Sequence, residues 1–432
     1  MTEEREFGFA TRAVHAGQRP DPYTGASTTP IYQTAGFVFE DTESASAYFN
    51  LQEYGNIYSR IMNPTVAAFE ERIANLENGA GGVAFASGLA AQAALFFALL
   101  EPGDRIAAAK ALYGGSTAQL NHLARKLRIE IDWVDVDDPD GWRSAVTDET
   151  KALFAETIAN PGGNVLDLEA AAAAHDVGSP LIVDNTFATP YLCRPLEWGA
   201  DIVVHSATKF IAGNGTTIAG VVVDSGRFDW SNGRFPTIAD PSPAYHGLQF
   251  HETFGVYGLL MKLRAETLRD LGSTLAPFNA FLLMLGTETL PVRMDRHVAN
   301  ALAIAEWLCG QPGVVAVRHP ALPDSPYKPL VDKYLPLGAG SVFSFELDGG
   351  RDGGRRFIES LSLWSHVANV GDTKSLVIHP ASTTHRQLSD DELHASGVAP
   401  GTVRLSVGLE DVDDLIWDLE QALRAARSVT VA

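Results

Sequence analysis

The chain has 432 residues, of which 46% are hydrophobic and 20% charged, and its 32 basic and 53 acidic residues give a net charge of −21. This composition is typical of a soluble globular protein and excludes a disordered or fibrous chain, while the length favours two domains. The negative charge argues against binding to nucleic acid or anionic lipid, so an anionic ligand needs local basic groups.

The first 60 residues are rich in Thr, Pro, Gly and Tyr and lack helical periodicity, so residues 1–60 are predicted to be an arm that contacts a neighbouring subunit. The charged N-terminus lacks the apolar segment of a signal peptide, and the longest apolar stretch, 89–100, is too short to span a bilayer. Cys193 and Cys309 lie too far apart in sequence to resemble a disulfide framework. We therefore expect a cytoplasmic protein with no membrane-spanning segment.

Residues 61–285 are predicted to form a large domain in which strands alternate with helices. Asn63-Pro64 indicates a helix start, and the apolar stripe that follows ends at Gly79. Strands are predicted at 83–86, 105–109, 129–136, 152–156, 181–184, 201–205 and 220–224, and helices at 88–100, 116–128, 139–146 and 166–176. This order indicates an α/β fold with a mostly parallel, doubly wound sheet and ligands at the carboxyl ends of its strands.

The second half of the chain changes pattern. Residues 226–255 read as an irregular, candidate functional loop, and a long helix is predicted over 257–284. Residues 286–432 are predicted to form a smaller α+β domain with a helix ending near Gly310, strands at 314–317, 342–347, 367–370 and 403–407, and a terminal helix from Asp411.

Ser87-Gly88-Leu89 is a candidate phosphate site. The segment lies between a predicted strand and the start of a helix, where free N–H groups and the helix dipole favour an anion, and Gly88 allows close approach. The alternative is that Ser87 only caps the helix and Gly88 only makes the turn.

Lys209 follows a predicted strand together with two hydroxyl side chains. If the segment is extended, Ser206 and Thr208 point to one side as phosphate ligands beside the Lys209 amine. Asp184 ends the apolar run 180–183, where a carboxylate needs a cationic or donor partner such as a protonated pyridine nitrogen. The alternative is a structural Asp that caps the next segment through Asn185 and Thr186.

Other side chains could complete such a site. Tyr58 and Arg60 are two apart in a non-helical segment and could address phosphate oxygens together. Tyr113, before Gly114-Gly115, could stack on a flat cofactor, or be only a loop-edge aromatic. Arg404 lies among apolar strand residues and could bind a substrate carboxylate, or form a structural salt bridge.

No metal site is predicted. The segment 251–255 contains His251 and Glu252 but lacks the second histidine of a zinc-protease helix. His379 and His385 lie in a Pro-containing segment without cysteine or carboxylate neighbours.

Taken together, these segments resemble the Cys/Met-metabolism enzymes that depend on pyridoxal phosphate (PLP), a fold-type I transferase family. The resemblance covers nearly the whole chain and rests on ordered blocks at 58–65, 87–90, 113–115, 156–161, 183–186 and 206–209. It implies that PLP is the cofactor, that the active site is shared between subunits, and that the protein is a homotetramer built as a dimer of dimers.

The resemblance also implies a role for each candidate residue. Lys209 would form the internal Schiff base, Asp184 would hold the pyridine nitrogen, and Tyr113 would stack on the ring and assist proton transfer. The phosphate would be bound by Gly88, Leu89, Ser206 and Thr208, joined by Tyr58 and Arg60 from an adjacent subunit. Asn160 would lie near the ring hydroxyl, and the substrate would be bound by Arg404 and Asn369.

Within the family, residues 369–376 and 379–385 resemble the O-acetylhomoserine sulfhydrylases, as does the insertion at 243–247. The implied reaction is γ-replacement of acetate by sulfide or methanethiol. Cystathionine γ-synthase and the methionine or cystathionine γ-lyases, on the same scaffold, remain alternatives, as does a non-catalytic protein that binds a phosphate ligand. One departure is Ala212-Gly213-Asn214, where many relatives carry Gly-Gly-His.

Overall fold

The computed structural model describes residues 5–427 except 139, 174–177, 385, 388, 390, 392 and 394–397. Within this part, the larger sheet has seven strands, β1 (Gly81–Phe85), β2 (Arg105–Ala109), β3 (Glu130–Val134), β4 (Thr150–Glu156), β5 (Leu181–Asp184), β6 (Ile202–His205) and β7 (Gly220–Asp224). Their order is β1-β7-β6-β5-β4-β2-β3, and only β7 runs antiparallel to its neighbours. The predicted α/β fold with a mostly parallel sheet is confirmed.

Helices cover this sheet and connect its strands. They are α1 (Phe9–His15), α2 (Thr42–Phe49), α3 (Pro64–Glu77), α4 (Gly88–Leu99), α5 (Gly114–Leu127), α6 (Gly141–Ala145), α7 (Leu168–Ala173), α8 (Thr189–Leu192), α9 (Pro236–Ala239), α10 (Phe250–Phe254), α11 (Gly258–Lys262), α12 (Arg269–Leu271) and α13 (Pro277–Glu288). No helix in the described part of the chain is long and apolar enough to cross a membrane.

Local sequence explains where the first long helix begins and ends. The side chain of Asn63 accepts a hydrogen bond from the Thr65 N–H, and Pro64 occupies the first helical turn of α3. The helix ends at Asn78, whose φ of 58° is left-handed, one residue before the predicted stop at Gly79. The central strands are buried apolar runs because helices cover both faces of a parallel sheet.

The second sheet belongs to the C-terminal part of the chain. Its strands are β8 (Val314–Arg318), β9 (Val342–Leu347), β10 (Ser365–His366), β11 (Leu376–Ile378) and β12 (Thr402–Ser406), in the order β10-β11-β12-β9-β8. The helices of this part are α14 (Leu290–Cys309), α15 (Lys328–Tyr334), α16 (Gly350–Ser360) and α17 (Val412–Arg427).

Each sheet has its own hydrophobic core, and α14 contributes to both. Leu290 and Met294, in its first half, pack in the core of the larger sheet, whereas Ala301 and Ile304 pack in the core of the smaller sheet. Because α14 takes part in both cores, the domain boundary predicted at residue 286 stays a prediction.

The predicted helix over 257–284 is wrong as a single element. The chain forms α11, a π-helical segment at Leu263–Leu268 and α12, and then turns at Gly272, whose φ is +69°. A new helix, α13, begins at Pro277 because proline lacks an N–H and fits only the first turn. The apolar periodicity runs across this break and conceals it.

The predicted strand at 367–370 is also wrong. β10 covers only Ser365–His366, and residues 367–370 form a loop that leads to Gly371, whose φ is +76°. β12 pairs on one side with β9, which was predicted, and on the other side with β11, which was not. Val370 is buried in the core of the larger sheet, so its burial reflects contact between the two halves and not membership of a strand.

The N-terminal segment is not free of helices, because it contains α1 and α2. The beginning of the segment docks on its own chain: the buried Arg72 guanidinium donates to the carbonyl oxygens of Ala16 at 2.8 Å and Val14 at 3.2 Å. Further along, several large apolar side chains are exposed: Tyr23, Ile31, Val38, Phe49 and Tyr54. An arm that contacts a neighbour therefore stays a prediction for the part after residue 18.

The predicted loop at 226–255 packs largely against the body of the larger domain. It contains α9, α10 and a 3₁₀ segment at Pro243–Tyr245, and its Trp230 and Phe235 are 2% and 1% exposed. All of its residues are described, and none lines the site cavity reported below.

Candidate active site

A cavity of about 270 Å³ opens at the carboxyl ends of β4, β5 and β6 and is bordered by the loop before β11 and by β12. It is lined by Ser87, Gly88, Leu89, Gln92, Tyr113, Glu156, Ile158, Asn160, Asp184, Thr186, Phe187, Ser206, Thr208, Lys209, Ile218, Ala368, Asn369, Val370 and Arg404. The structure thus brings together every predicted site residue except Tyr58 and Arg60.

One end of the cavity is the N-terminus of α4. The Ser87 hydroxyl accepts a hydrogen bond from the Ala90 N–H at 3.1 Å, so Ser87 caps the helix and also lines the cavity. Capping leaves the N–H groups of Gly88 and Leu89 without acceptors inside the helix, which suits an anion. A Cβ atom at Gly88 would lie 2.8 Å from the Ser206 Cβ, so this approach requires glycine.

The segment from Ser206 to Lys209 is a turn and not the predicted extension of the strand. The Lys209 N–H donates to the Ser206 carbonyl at 3.2 Å, and the Gly213 N–H donates to the Lys209 carbonyl at 2.8 Å. The chain turns here because it must reverse before the antiparallel strand β7. The Thr208 hydroxyl accepts from the Ala219 N–H at 3.0 Å, which holds the turn against the start of β7.

The departure at 212–214 leaves this turn intact. Ala212 is buried at 2% exposure, and Gly213 keeps the left-handed φ of +78° that glycine favours. Asn214 is exposed and its side chain accepts from the Thr216 hydroxyl at 2.7 Å.

The Lys209 amine projects into the cavity. Its Nζ donates to Oδ1 of Asn369 at 2.5 Å, and it has no carboxylate within ion-pair distance among the described residues. Burial, and secondarily the positive charge of Arg404, lower the pKa of Lys209. A larger fraction of such a lysine is neutral, and so able to accept a proton, than of a surface lysine at the same pH.

Asp184 ends β5 and faces the same space. Its Oδ2 accepts from Gln92 Nε2 at 2.9 Å, and its Oδ1 accepts from the Thr186 N–H at 3.0 Å and from the Thr186 hydroxyl. Burial raises the pKa of Asp184, while these hydrogen bonds and the nearby His205 oppose the rise. Asp184 therefore caps its turn through Thr186, without a bond from Asn185, and lines the cavity at once.

Arg404 reaches the cavity from β12. Its Nη1 donates to Asn160 Oδ1 at 3.2 Å and its Nη2 to the Asn369 carbonyl at 3.3 Å, and burial lowers the pKa of Arg404 to about 10. The alternative of a structural salt bridge finds no support, since none of the described carboxylates forms an ion pair with it. The guanidinium is held by weak, neutral acceptors and can accommodate a carboxylate ligand.

The residues of the cavity fit PLP by the chemistry that they offer. The α4 N-terminus suits a phosphate, Asp184 suits a protonated pyridine nitrogen, and the Lys209 amine suits an aldehyde. The half-exposed ring of Tyr113 borders the cavity, and the buried Gln92 Oε1 beside Asp184 lacks a hydrogen-bond partner within the described chain. The donors and acceptors therefore match a ligand with an anionic end and a cationic ring.

Several lining residues were not predicted: Gln92, Glu156, Thr186 and Phe187. Glu156 could have been found, because it ends a predicted strand as Asp184 does, and strand ends meet at one edge of a parallel sheet. Gln92 carries no such signal, since it lies one turn inside an apolar helix and only its neighbour Asp184 explains it.

Tyr58 and Arg60 lie together but outside this cavity. The Arg60 guanidinium lies 5.3 Å from the centre of the Tyr58 ring, and Tyr58 is 43% exposed. A single chain therefore does not bring them to the other site residues.

No metal site is evident in the described residues, which contain no group of three or more His, Cys, Asp or Glu side chains placed to bind an ion. His379 is paired with the Ser382 hydroxyl at 2.8 Å and the Pro400 carbonyl at 2.8 Å. His385 lies outside the described residues.

Comparisons with known proteins agree with this geometry. The profile of a family described as Cys/Met metabolism PLP-dependent enzyme matches residues 10–424. O-acetyl-L-homoserine sulfhydrylase of Leptospira meyeri is 46% identical over 430 residues, which cover 97% of this chain and 97% of that protein. O-acetyl-L-homoserine sulfhydrylase 1 of Thermus thermophilus is 48% identical over 418 residues, with 96% and 99% covered.

A solved structure extends the likeness to the fold. It is a crystal structure from Campylobacter jejuni, provisionally assigned as an O-acetylhomoserine (thiol)-lyase and carrying a pyridoxyl-lysine phosphate group. It matches with a TM-score of 0.92 and 38% identity, covering 97% of this chain and 100% of that one. The chain belongs to the Cys/Met-metabolism family of PLP-dependent enzymes.

Proposed function

We propose that this protein converts O-acetyl-L-homoserine and sulfide to L-homocysteine and acetate, with methanethiol as an alternative nucleophile that yields L-methionine. The observation that carries the proposal is the convergence of Lys209, Asp184 and Arg404 on one cavity. The sulfhydrylase names of the relatives at 46–48% identity support the choice of substrate.

Substrate binding is assigned to the C-terminal side of the cavity. Arg404 would bind the α-carboxylate in a bidentate pair, replacing its long hydrogen bonds to Asn160 and Asn369. Asn369 would keep its side-chain contact with Lys209. This arrangement would place the α-carbon near the Lys209 amine.

The proton steps are assigned to Nζ of Lys209. PLP, when bound, withdraws electrons from the substrate and makes protons on the α- and β-carbons removable. Because burial and Arg404 lower the pKa of Lys209, its neutral amine can take the α-proton and return it. Tyr113 would hold the ring in place from the start of α5 and assist this transfer.

The group transfer takes place at the γ-carbon. The bond from the γ-carbon to the ester oxygen breaks, and its electron pair leaves with acetate. A sulfide lone pair then forms the new carbon–sulfur bond, while the sulfide proton is released. Water must be kept out of this step, and the cavity is bordered by the apolar side chains of Phe187, Ile218 and Val370.

The cofactor phosphate is assigned to ligands from two subunits. Gly88, Leu89, Ser206 and Thr208 would bind it from one chain. Tyr58 and Arg60 would reach it from a neighbouring chain, since their exposed pair lies outside the cavity of their own chain. Shared sites would make a dimer the smallest active unit, and we propose a cytoplasmic homotetramer built from two such dimers.

A product assay tests the proposal. Purified protein is incubated with O-acetyl-L-homoserine and sulfide, and we expect homocysteine and acetate in equal amounts. Parallel reactions replace the ester with O-succinyl-homoserine, and sulfide with methanethiol or cysteine. Formation of ketobutyrate from methionine or cystathionine without added thiol, with no homocysteine from the ester, would instead identify a γ-lyase.

A further inference from the structure

Glu156 is a buried carboxyl group at the floor of the site and is 8% exposed. The proposed reaction does not use it. Its Oε1 accepts from the Tyr113 N–H at 2.6 Å, and its Oε2 accepts from the Asn160 N–H at 3.3 Å. Tyr113 and Asn160 both line the cavity. One side chain at the end of β4 therefore holds two separate segments that border the cofactor space.

Glu156 is also the direct neighbour of Asp184, its Cα partner on β5. Two carboxylates side by side in a site with little water cannot both be charged at low cost. Asp184 is stabilised as an anion by donors from Thr186 and Gln92 and by the nearby His205. Glu156 has only the two backbone donors, one of them long.

The surroundings decide which of the two carboxyl groups keeps a proton. Burial, followed by the charge of Asp184, raises the pKa of Glu156 well above its ordinary value. The other titratable groups that line or underlie the cavity are Tyr113 from α5, Lys209 from the turn after β6, Arg404 from β12 and His205 from β6. A bound pyridinium would add its positive charge at Asp184, which favours the same distribution.

We propose that Glu156 is a positioning residue whose neutral carboxyl group fixes Tyr113 and Asn160 around the cofactor ring and leaves Asp184 as the single charged carboxylate beneath it. The inference rests on the proposed use of PLP. It assigns Glu156 no contact with substrate. Glu156 acts on the cofactor ring indirectly. It holds the backbones of Tyr113 and Asn160, and its neutral state leaves the charge on Asp184.

Two variants separate the parts of this role. E156Q keeps an acceptor for the Tyr113 N–H and mimics a neutral carboxyl group, but it loses the weaker bond to Asn160. E156M has a similar volume and removes both acceptors, leaving the two N–H groups unpaired. D224N is the matched control, because Asp224 is a buried carboxyl group on β7 that does not line the cavity.

The readouts need no substrate: PLP affinity from titration of the apoprotein, the visible circular dichroism of the bound cofactor, and the pH midpoint of its absorbance change. We expect E156Q to match the wild-type protein in the pH midpoint, and D224N to match it in all three. We expect E156M to bind PLP about tenfold more weakly, the effect of about one lost hydrogen bond, with reduced dichroism.

Two results would overturn the inference. If Glu156 is charged in the holoenzyme, E156Q removes a negative charge beside Asp184 and shifts the pH midpoint downward. If Glu156 positions nothing, E156M retains wild-type affinity and dichroism. Should E156M fail to fold, the midpoint of E156Q still decides the question of charge. Wild-type protein that bound no PLP would refute the proposed function as well, which distinguishes the two failures.

Discussion

At the scale of single residues, the two cations of the cavity are held by neutral groups. Lys209 donates to the side chain of Asn369 and Arg404 to its carbonyl, and within the described chain neither forms an ion pair. Both side chains line the cavity, where a ligand can reach them. We infer that Lys209 and Arg404 are available to interact with ligands.

Replacing Lys209 by alanine should abolish catalysis and covalent retention of the cofactor. We expect K209A to lose at least about 10³-fold in kcat, the contribution typical of a positioned general base. After reduction with borohydride, mass spectrometry should find one added cofactor on the wild-type chain and none on K209A. K333A, which changes an exposed lysine paired with Glu169, is the control. Wild-type activity in K209A would contradict the assignment.

Replacing Arg404 by lysine should weaken substrate binding. Lysine keeps the charge but cannot form the bidentate pair with a carboxylate, so we expect KM for O-acetyl-L-homoserine to rise about tenfold or more. PLP affinity, measured separately, should change little, since Arg404 is assigned to the substrate. An unchanged KM in steady-state assays would exclude Arg404 as the carboxylate ligand.

At the scale of elements, helix α14 joins the lysine turn to the smaller sheet. Arg293, near its start, donates to the carbonyl oxygens of Phe210 at 2.8 Å and Gly286 at 2.8 Å. One turn further on, His297 Nδ1 pairs with the carbonyl of Val407 at 2.7 Å, just beyond β12. The helix therefore fixes the distance between the segments that carry Lys209 and Arg404.

Replacing Arg293 by methionine should destabilise the protein and loosen this connection. The variant leaves the buried carbonyl group of Phe210 without its donor and removes one of the donors to Gly286, so we expect the free energy of unfolding to fall by about 3 kcal/mol. Urea titrations of the apoprotein measure this loss. R296M, on the exposed side of the same helix, is the control and should change stability little. Equal stabilities for R293M and R296M would contradict the role.

At the scale of the whole molecule, Asp224 is one of several carboxyl groups that are buried away from the cavity. Asp224 ends β7 and is 0% exposed; its Oδ1 accepts from the Gly226 N–H at 2.9 Å, and its Oδ2 has no partner within the described chain. Burial raises the pKa of Asp224 to about 7 from an ordinary value of 3.8. The folded state thus binds more protons than the unfolded state between these values.

Because Asp224 loses its proton, the free energy of unfolding should fall as pH rises from about 4 to about 7. D224N cannot titrate, so the difference in unfolding free energy between the wild-type protein and D224N should change with pH, by at most about 1.4 kcal/mol per pH unit. Urea titrations across this range measure the slope. D148N, at an exposed position, should parallel the wild-type curve. A parallel curve for D224N would contradict the burial argument.

A shared active site predicts complementation between inactive variants. K209A and R60A should each be inactive or nearly so, but a mixed dimer contains one site with both Lys209 and Arg60 intact. After joint refolding of equal amounts, we expect about a quarter of wild-type activity, since half of the dimers are mixed and each has one intact site. Mixing without refolding is the control. No recovery in refolded mixtures would place Arg60 outside the partner's site.

Much of this protein follows from its sequence because the signals are local. Buried apolar runs indicate the parallel strands, and Asp184, Glu156 and Lys209 reach one edge because the carboxyl ends of parallel strands meet there. The ordered blocks predicted the family and the residues of the cavity on the larger sheet. Capping at Asn63 and Ser87 is likewise local and was predicted within a residue or two.

Tertiary structure alone decided the features that depend on distant partners. The break between α12 and α13 lies inside a continuous apolar stripe, and Val370 is buried by contact between the two halves without belonging to a strand. Gln92 lies close to Asp184 only because α4 packs on the sheet against β6 and β7, and Arg293 reaches the lysine turn only because α14 packs across both cores. Periodicity reports which face is buried and not what buries it, so such contacts require the folded chain.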